Sequence, residues 1–162
     1  VESADRINFA NCEFSHTGKN GLLIKDAENY QVANSVFYDI GYNGLVVKYS
    51  TSKRAKGEGV RILKNTFTDI GMSNFKQPAC MVVACKKDVV VSNNECSNSA
   101  YTGIMLRSPM QNGQDFKGYA FTIKNNRLNR MGQGILNDFG AMYIAPQYPK
   151  AKSHGNCPKT QQ

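Results

Sequence analysis

The segment NSVFYDIGYNGLVV, Asn34 to Val47, has near copies upstream in NCEFSHTGKNGLLI, from Asn11, and downstream in KNTFTDIGMSN, from Lys64. A motif this short, N-x-x-F then a polar run, a glycine and an apolar run, cannot bury a core alone. It is one unit of something stacked. Copies anchored at Cys12, Ser35, Asn65, Asn94 and Asn126 share one register, with Phe14, Phe37, Phe67, Cys96 and Leu128 standing two positions later. Upstream of the anchors run two apolar columns, Phe9, Val32, Ile62, Val91, Ile123 and Ile7, Tyr30, Val60, Val89, Phe121. The column between them, Asn8, Gln31, Arg61, Val90 and Thr122, is mostly polar. Apolar residues at every second position are the period of a strand with one face turned inward.

A glycine follows each landmark at a fixed offset (Gly18, Gly41, Gly71 and Gly132, with Ala100 in the remaining copy), and then a further apolar run: GLLIK, GLVVK, CMVVA or GIMLR. Successive anchors are 23, 30, 29 and 32 residues apart. Three short strands and three turns per repeat predict an all-β chain, a right-handed parallel β-helix of about five coils over residues 1–147, with a polar extension over 148–162. A helical repeat needs a 3.6-residue period, and these runs are short, β-branched and broken by Asn and Gly. A β-sandwich would not place Asn, Phe and Gly at matching offsets in every copy. Stacking at the strand spacing predicts an internal pile of Phe14, Phe37 and Phe67, continued by Cys96 and Leu128. It also predicts a ladder of Asn65, Asn94 and Asn126 at a sharp turn. The visible motif therefore builds the fold and carries no chemistry. Val1 opens no capping helix, which leads us to expect further coils upstream.

Chemistry has to be sought elsewhere. The chain has 162 residues and a formal charge of +8, a balance that serves solubility or suits a polyanion such as nucleic acid or an acidic polysaccharide, and composition alone does not choose between them. Lysines in KRAKGEGVR and PKAKSHGNCPK are interleaved with Gly and Ser rather than aromatics, so we expect no nucleic-acid partner. No apolar run is long enough for a membrane span, and VESADR lacks the features of a signal peptide. The cysteines Cys12, Cys80, Cys85, Cys96 and Cys157 form no C-x-x-C pair and accompany only His16 and His154. That argues against zinc, and no metal or other cofactor is expected. Cys96 reads as apolar filler in the Phe column; Cys12, in a polar turn column, reads as pairing outside this segment.

Extra chain falls at Tyr49–Gly59, Ser108–Gly118 and Met72–Pro78. All three stretches flank the third strand column, as the walls of a groove would. Alternation from Leu22, Leu45 and Ile104 as inward positions gives an outward row Leu23, Val46, Met81, Met105, and a second row Lys25, Lys48, Val83, Arg107. Aligning Gly134 with Gly103 sets Asp138 beside Arg107 on the groove floor.

NNECSNSAYTGIMLRS, followed by YAFTIKNNRLNRMGQGILNDFGAMYIAP, resembles the C-terminal coils of parallel β-helix glycoside hydrolases of the β-xylosidase and fucosidase/xylanase kind, within the pectin-lyase-like superfamily. The resemblance covers about Asn93 to Ala145 and implies a secreted, carbohydrate-active domain. By position it implies Asp138 as a catalytic carboxylate, with Tyr101 and Tyr143 lining the site. Such enzymes work with two carboxylates. Asp115 is the candidate partner, while Glu95 and Asp88 read equally well as turn residues. Arg107 departs from the pattern, and a cation there would depress the Asp138 pKa. Lys25, Lys48 and Arg107 complete the expected substrate-binding row. Two alternatives use the same scaffold. One is a non-catalytic glycan-binding or structural solenoid. The other is a polysaccharide lyase or epimerase, in which Lys48 or Arg107 neutralises a uronate carboxylate.

Overall fold

The computed structural model describes residues 1–48, 58–73, 77–85, 88–108, 121–133 and 139–146. Its strands follow the coils. The first coil holds β1 (Asn8–Ala10), β2 (Glu13–Thr17) and β3 (Leu22–Lys25); the second β4 (Tyr30–Ala33), β5 (Val36–Ile40) and β6 (Leu45–Lys48). The third holds β7 (Val60–Leu63), β8 (Thr66–Ile70) and β9 (Ala79–Ala84); the fourth β10 (Val89–Ser92), β11 (Glu95–Ser99) and β12 (Thr102–Ser108). The last holds β13 (Phe121–Lys124), β14 (Arg127–Met131) and β15 (Met142–Pro146). Every third strand joins one sheet, in the orders β1-β4-β7-β10-β13, β2-β5-β8-β11-β14 and β3-β6-β9-β12-β15. All pairings are parallel. This is the expected solenoid. No helix of the described residues is long and apolar enough to cross a membrane.

Both predicted stacks are present. Phe14 and Phe37 lie 4.7 Å apart between ring centroids and Phe37 and Phe67 4.6 Å apart, nearly parallel. That separation is the strand spacing itself, so rings rooted in one column must stack. In the ladder, Asn65 Nδ2 donates to Asn94 Oδ1 (3.0 Å) and Asn94 Nδ2 to Asn126 Oδ1 (2.9 Å). Each amide also donates to a backbone carbonyl, Val32 O, Ile62 O or Val91 O, so buried turn groups are satisfied from within. Ser35 carries the column on, its Oγ accepting from Cys12 N.

The second sheet departs from strict alternation. His16, Asp39, Asp69, Asn98 and Arg130 all adopt positive φ, between 50° and 56°, and are skipped by the pairing register. This shared left-handed residue bends every strand of the sheet at the same place and turns both Phe37 and Ile40, and both Phe67 and Ile70, into the core. Asp and Asn tolerate that left-handed geometry better than most side chains.

Cys96 is more than filler. It is bonded to Cys80, with Cα atoms 6.3 Å apart. The glycine column explains why. A Cβ on Gly44 would lie 2.7 Å from the Phe67 ring, one on Gly21 3.0 Å from Phe37, and one on Gly103 2.9 Å from Leu128. Each glycine thus leaves room for the bulky side chain of the following coil. In the third coil Cys80 occupies the glycine position, and in the fourth Cys96 occupies the Phe position. The two departures from the repeat complement each other. Cys12 and Cys85 are free thiols.

The third sheet corrects two expectations of register. Met81 pairs with Leu45 and Ile104 and is fully buried, so it faces inward; Val82 stands outward beside Val46 and Met105. Ala84, not Val83, stands in the row with Lys48 and Arg107. Because Cys80 occupies the glycine position, the strand is read one residue later than the outward row assumed. In the last coil the partner of Gly103 is not Gly134: Gly103 N and Ile104 N both donate to Ala141 O at 3.2 Å. Ala145 therefore holds the register position beside Arg107 that the Gly134 alignment gave to Asp138, and Asp138 itself lies outside the described residues.

Candidate functional site

The outer face of the third sheet carries two rows. One is Leu23, Val46, Val82, Met105 and Tyr143; the other is Lys25, Lys48, Ala84, Arg107 and Ala145. Two members of the first row are shielded from solvent. Val46 is 2% exposed and Met105 5%, although both point away from the solenoid interior. Tyr101, at the bend before β12, joins Ala79 and Met105 in a small cluster outside the main core, with Val82 and Tyr143 packed against it. Tyr101 and Tyr143 stack with centroids 5.6 Å apart and planes 13° from parallel. The two tyrosines expected to line one site are therefore brought together. Tyr101 is 3% exposed and so backs the surface, while Tyr143 is only partly buried.

The second row is basic. Glu2 bridges to Lys25 in the parallel register, extending the row by one position, and its carboxylate pairs with the Lys25 ammonium. Hydrogen bonding and the charge of Glu2 raise the Lys25 pKa above its ordinary value. Lys48, directly above on the next coil, is exposed. Two coils further on, Arg107 is half-buried, its Nε donating to Met105 Sδ at 3.1 Å. Successive coils are separated by roughly 4.8 Å, so these cations form a line along the solenoid axis.

The expected carboxylates Asp138 and Asp115 lie outside the described residues, as do the 148–162 extension and most of the Tyr49–Gly59 and Ser108–Gly118 stretches. Among the described residues no group of His, Cys, Asp and Glu could hold a metal ion.

Surface concavities occur away from this face. One of about 410 Å³ lies on the first sheet, around Asn8, Gln31 and Arg61. A smaller one of about 200 Å³ lies beside His16 and Asp39 at the bend of the second sheet, where the two side chains approach to 3.7 Å. Sequence reasoning missed the first. Arg61 was legible as an outward position, but its partner Asp88, a coil later at a turn, was not.

A buried titratable pair among the described residues lies within the core. Tyr30 Oη and Cys85 Sγ sit 3.8 Å apart inside the solenoid. Burial, then the neighbouring thiol, pushes the Tyr30 phenol well above its usual range. Burial pushes the Cys85 thiol up to about 12 against a partial offset from the Tyr30 contact.

Neither a curated protein nor a solved structure matches the chain. The family model of the right handed beta helix region matches residues 1–148, all of the coils described above, and the chain belongs to that family.

Proposed function

We propose that this chain is a carbohydrate-active β-helix domain, similar to glycoside hydrolases, that holds an acidic polysaccharide along the outer face of its third sheet. The observation that carries this reading is the alignment of Lys25, Lys48 and Arg107 in one row beside the Tyr101–Tyr143 stack. A glycan lying across the coils meets a cation at intervals set by the strand spacing, and Tyr143 offers a ring against which a sugar face packs. Lys25 is already engaged by Glu2, so Lys48 and Arg107 are the stronger anion-binding groups. Asp138 is the proposed catalytic carboxylate and Asp115 its partner. The setting is extracellular, a reading supported by the Cys80–Cys96 disulfide, since such bonds persist in oxidising compartments. The partner is polysaccharide, not nucleic acid or membrane.

A second reading, a binding module without hydrolysis, is favoured by one observation. The outward positions of β3, β6, β9, β12 and β15 named above include no acidic residue. A glycan-array screen of the parent, Asp138→Asn and Arg107→Ala, followed by a reducing-sugar assay on each hit, tests both. Binding weakened by Arg107→Ala, with hydrolysis abolished by Asp138→Asn, is the expected result. Binding without hydrolysis in the parent selects the module. An array on which no glycan binds overturns both.

A further inference from the structure

The outer face of the first sheet carries a feature that the third-sheet reading does not use. Asn8, Gln31 and Arg61 stand one above another on β1, β4 and β7. With the turn residues Arg6, Gly59 and Asp88 they line the open concavity of about 410 Å³. Asn8 and Arg61 are two coils apart, about 10 Å at the strand spacing. That is the span of one pyranose ring with its substituents.

The concavity is organised before any ligand arrives. Arg61 Nη1 donates to Asp88 O at 2.8 Å and to Val60 O at 3.1 Å, and Nη2 donates to Asp88 Oδ1 at 2.8 Å. Three of five guanidinium N–H groups are thus committed to fixing its orientation, which leaves two to offer. A side chain already ordered loses little entropy on binding. Across the concavity, Gly59 leaves space that no other residue could. Its φ is +74°, and a Cβ there would lie 2.4 Å from Asn29 Oδ1. The Asn29 amide is itself held, Nδ2 donating to Asp5 Oδ1 at 2.9 Å. Arg6 stands at the rim with its side chain 83% exposed, touching Asp5 through one 3.3 Å contact. An ion pair that open is weak and readily shared.

Donors therefore outnumber acceptors. Asp88 Oδ1 and both Asp5 carboxylate oxygens are engaged, whereas two Arg61 N–H groups and most of the Arg6 guanidinium remain beyond these contacts, and the Asn8 and Gln31 amides, each donor and acceptor alike, line the same space. A donor surplus selects a ligand rich in acceptors, and guanidinium groups select planar or tetrahedral oxyanions. We infer that this concavity is a second saccharide subsite, taking one sugar unit whose carboxylate or sulfate ester is held between Arg6 and Arg61. It lies on a different sheet from the Lys48–Arg107 row and does not rest on the function proposed for that row.

The test is an amide-resolved NMR titration of the full chain with glucuronate, glucose 6-sulfate and glucose. Saturable shifts at Gln31, Gly59 and Arg61 are expected with at least one anionic sugar, about tenfold tighter than with glucose. The tighter of the two identifies the anionic group. Arg6→Gln, at an exposed site that does not endanger folding, should remove most of that preference, and Arg61→Gln should do the same. Lys48→Gln/Arg107→Gln should leave it unchanged, so this site and the third-sheet groove stand or fall separately. The inference is overturned if these amides do not move, if glucose moves them equally well, or if Arg6→Gln and Arg61→Gln both retain parental affinity.

Discussion

Asn94 shows what one side chain does in this fold. Its Oδ1 accepts from Asn65 N and Asn65 Nδ2, and its Nδ2 donates to Ile62 O and Asn126 Oδ1. Asn94→Ala leaves several of these groups buried and unpaired, so we expect a loss of about 2–4 kcal/mol in urea denaturation; a loss below about 1 kcal/mol would contradict the ladder's role. Cys85 makes a separate prediction at the same scale. Its folded pKa of about 12 lies above the ordinary 9.0, so the folded state holds the thiol proton more tightly. The resulting stability is fully present below pH 9 and is lost as pH rises toward 12. Native Cys85 should resist iodoacetamide at pH 8 while denatured chain is labelled, as peptide mass spectrometry would read; equal labelling in both states counts against its burial. The ladder was legible in the sequence because an amide at a fixed offset in consecutive repeats has few other uses. The Tyr30–Cys85 contact was not, because the residues are 55 positions apart and no other tyrosine stands in the Tyr30 column.

Elements meet through paired columns. The glycine before a third-sheet strand makes room for the Phe-column side chain of the next coil, and the Cys80–Cys96 bridge replaces that small–large pair with two side chains of intermediate size joined covalently. Gly44→Ala would place a Cβ 2.6 Å from Cys80 O and 2.7 Å from the Phe67 ring, an overpacking expected to cost about 3 kcal/mol. Gly18→Ala meets nothing within 4 Å and should change stability by less than about 0.5 kcal/mol. Thermal or urea melts of the two variants compare them directly, and equal effects would undo the account of the column. The same logic predicts that Cys80→Gly/Cys96→Phe, which restores the repeat, exceeds Cys80→Ser/Cys96→Ser in stability by about 1–3 kcal/mol. The bridge could have been found from sequence by noting that two adjacent coils break the repeat in compensating ways. Register in the last coil was harder to read. Gly134 matched the repeat by residue type, yet Ala141 holds the bend, and type alone does not say which small residue the chain turns at.

At the scale of the molecule, five coils give three long faces, and the sequence distinguished them unequally. Strand period and repeat offsets specified the solenoid because each is enforced at every coil. A binding face is not repeated, and its residues stand out only through departures from the pattern: extra chain, a basic row, a tyrosine pair. The exposure of the last described strand follows from the same geometry. Met142 and Ile144 occupy inward columns, yet Ile144 is 68% exposed, since stacking is what buries an inward side chain in a solenoid. The most direct test of the functional account is calorimetric titration of an oligogalacturonate into the parent and into Lys48→Gln/Arg107→Gln, each at low and at high salt. The account predicts parental binding that weakens with salt, and an affinity for the double variant lower by about tenfold at low salt with a shallower salt dependence. Equal affinity and equal salt dependence in the two proteins would contradict it and remove the glycan from the third sheet.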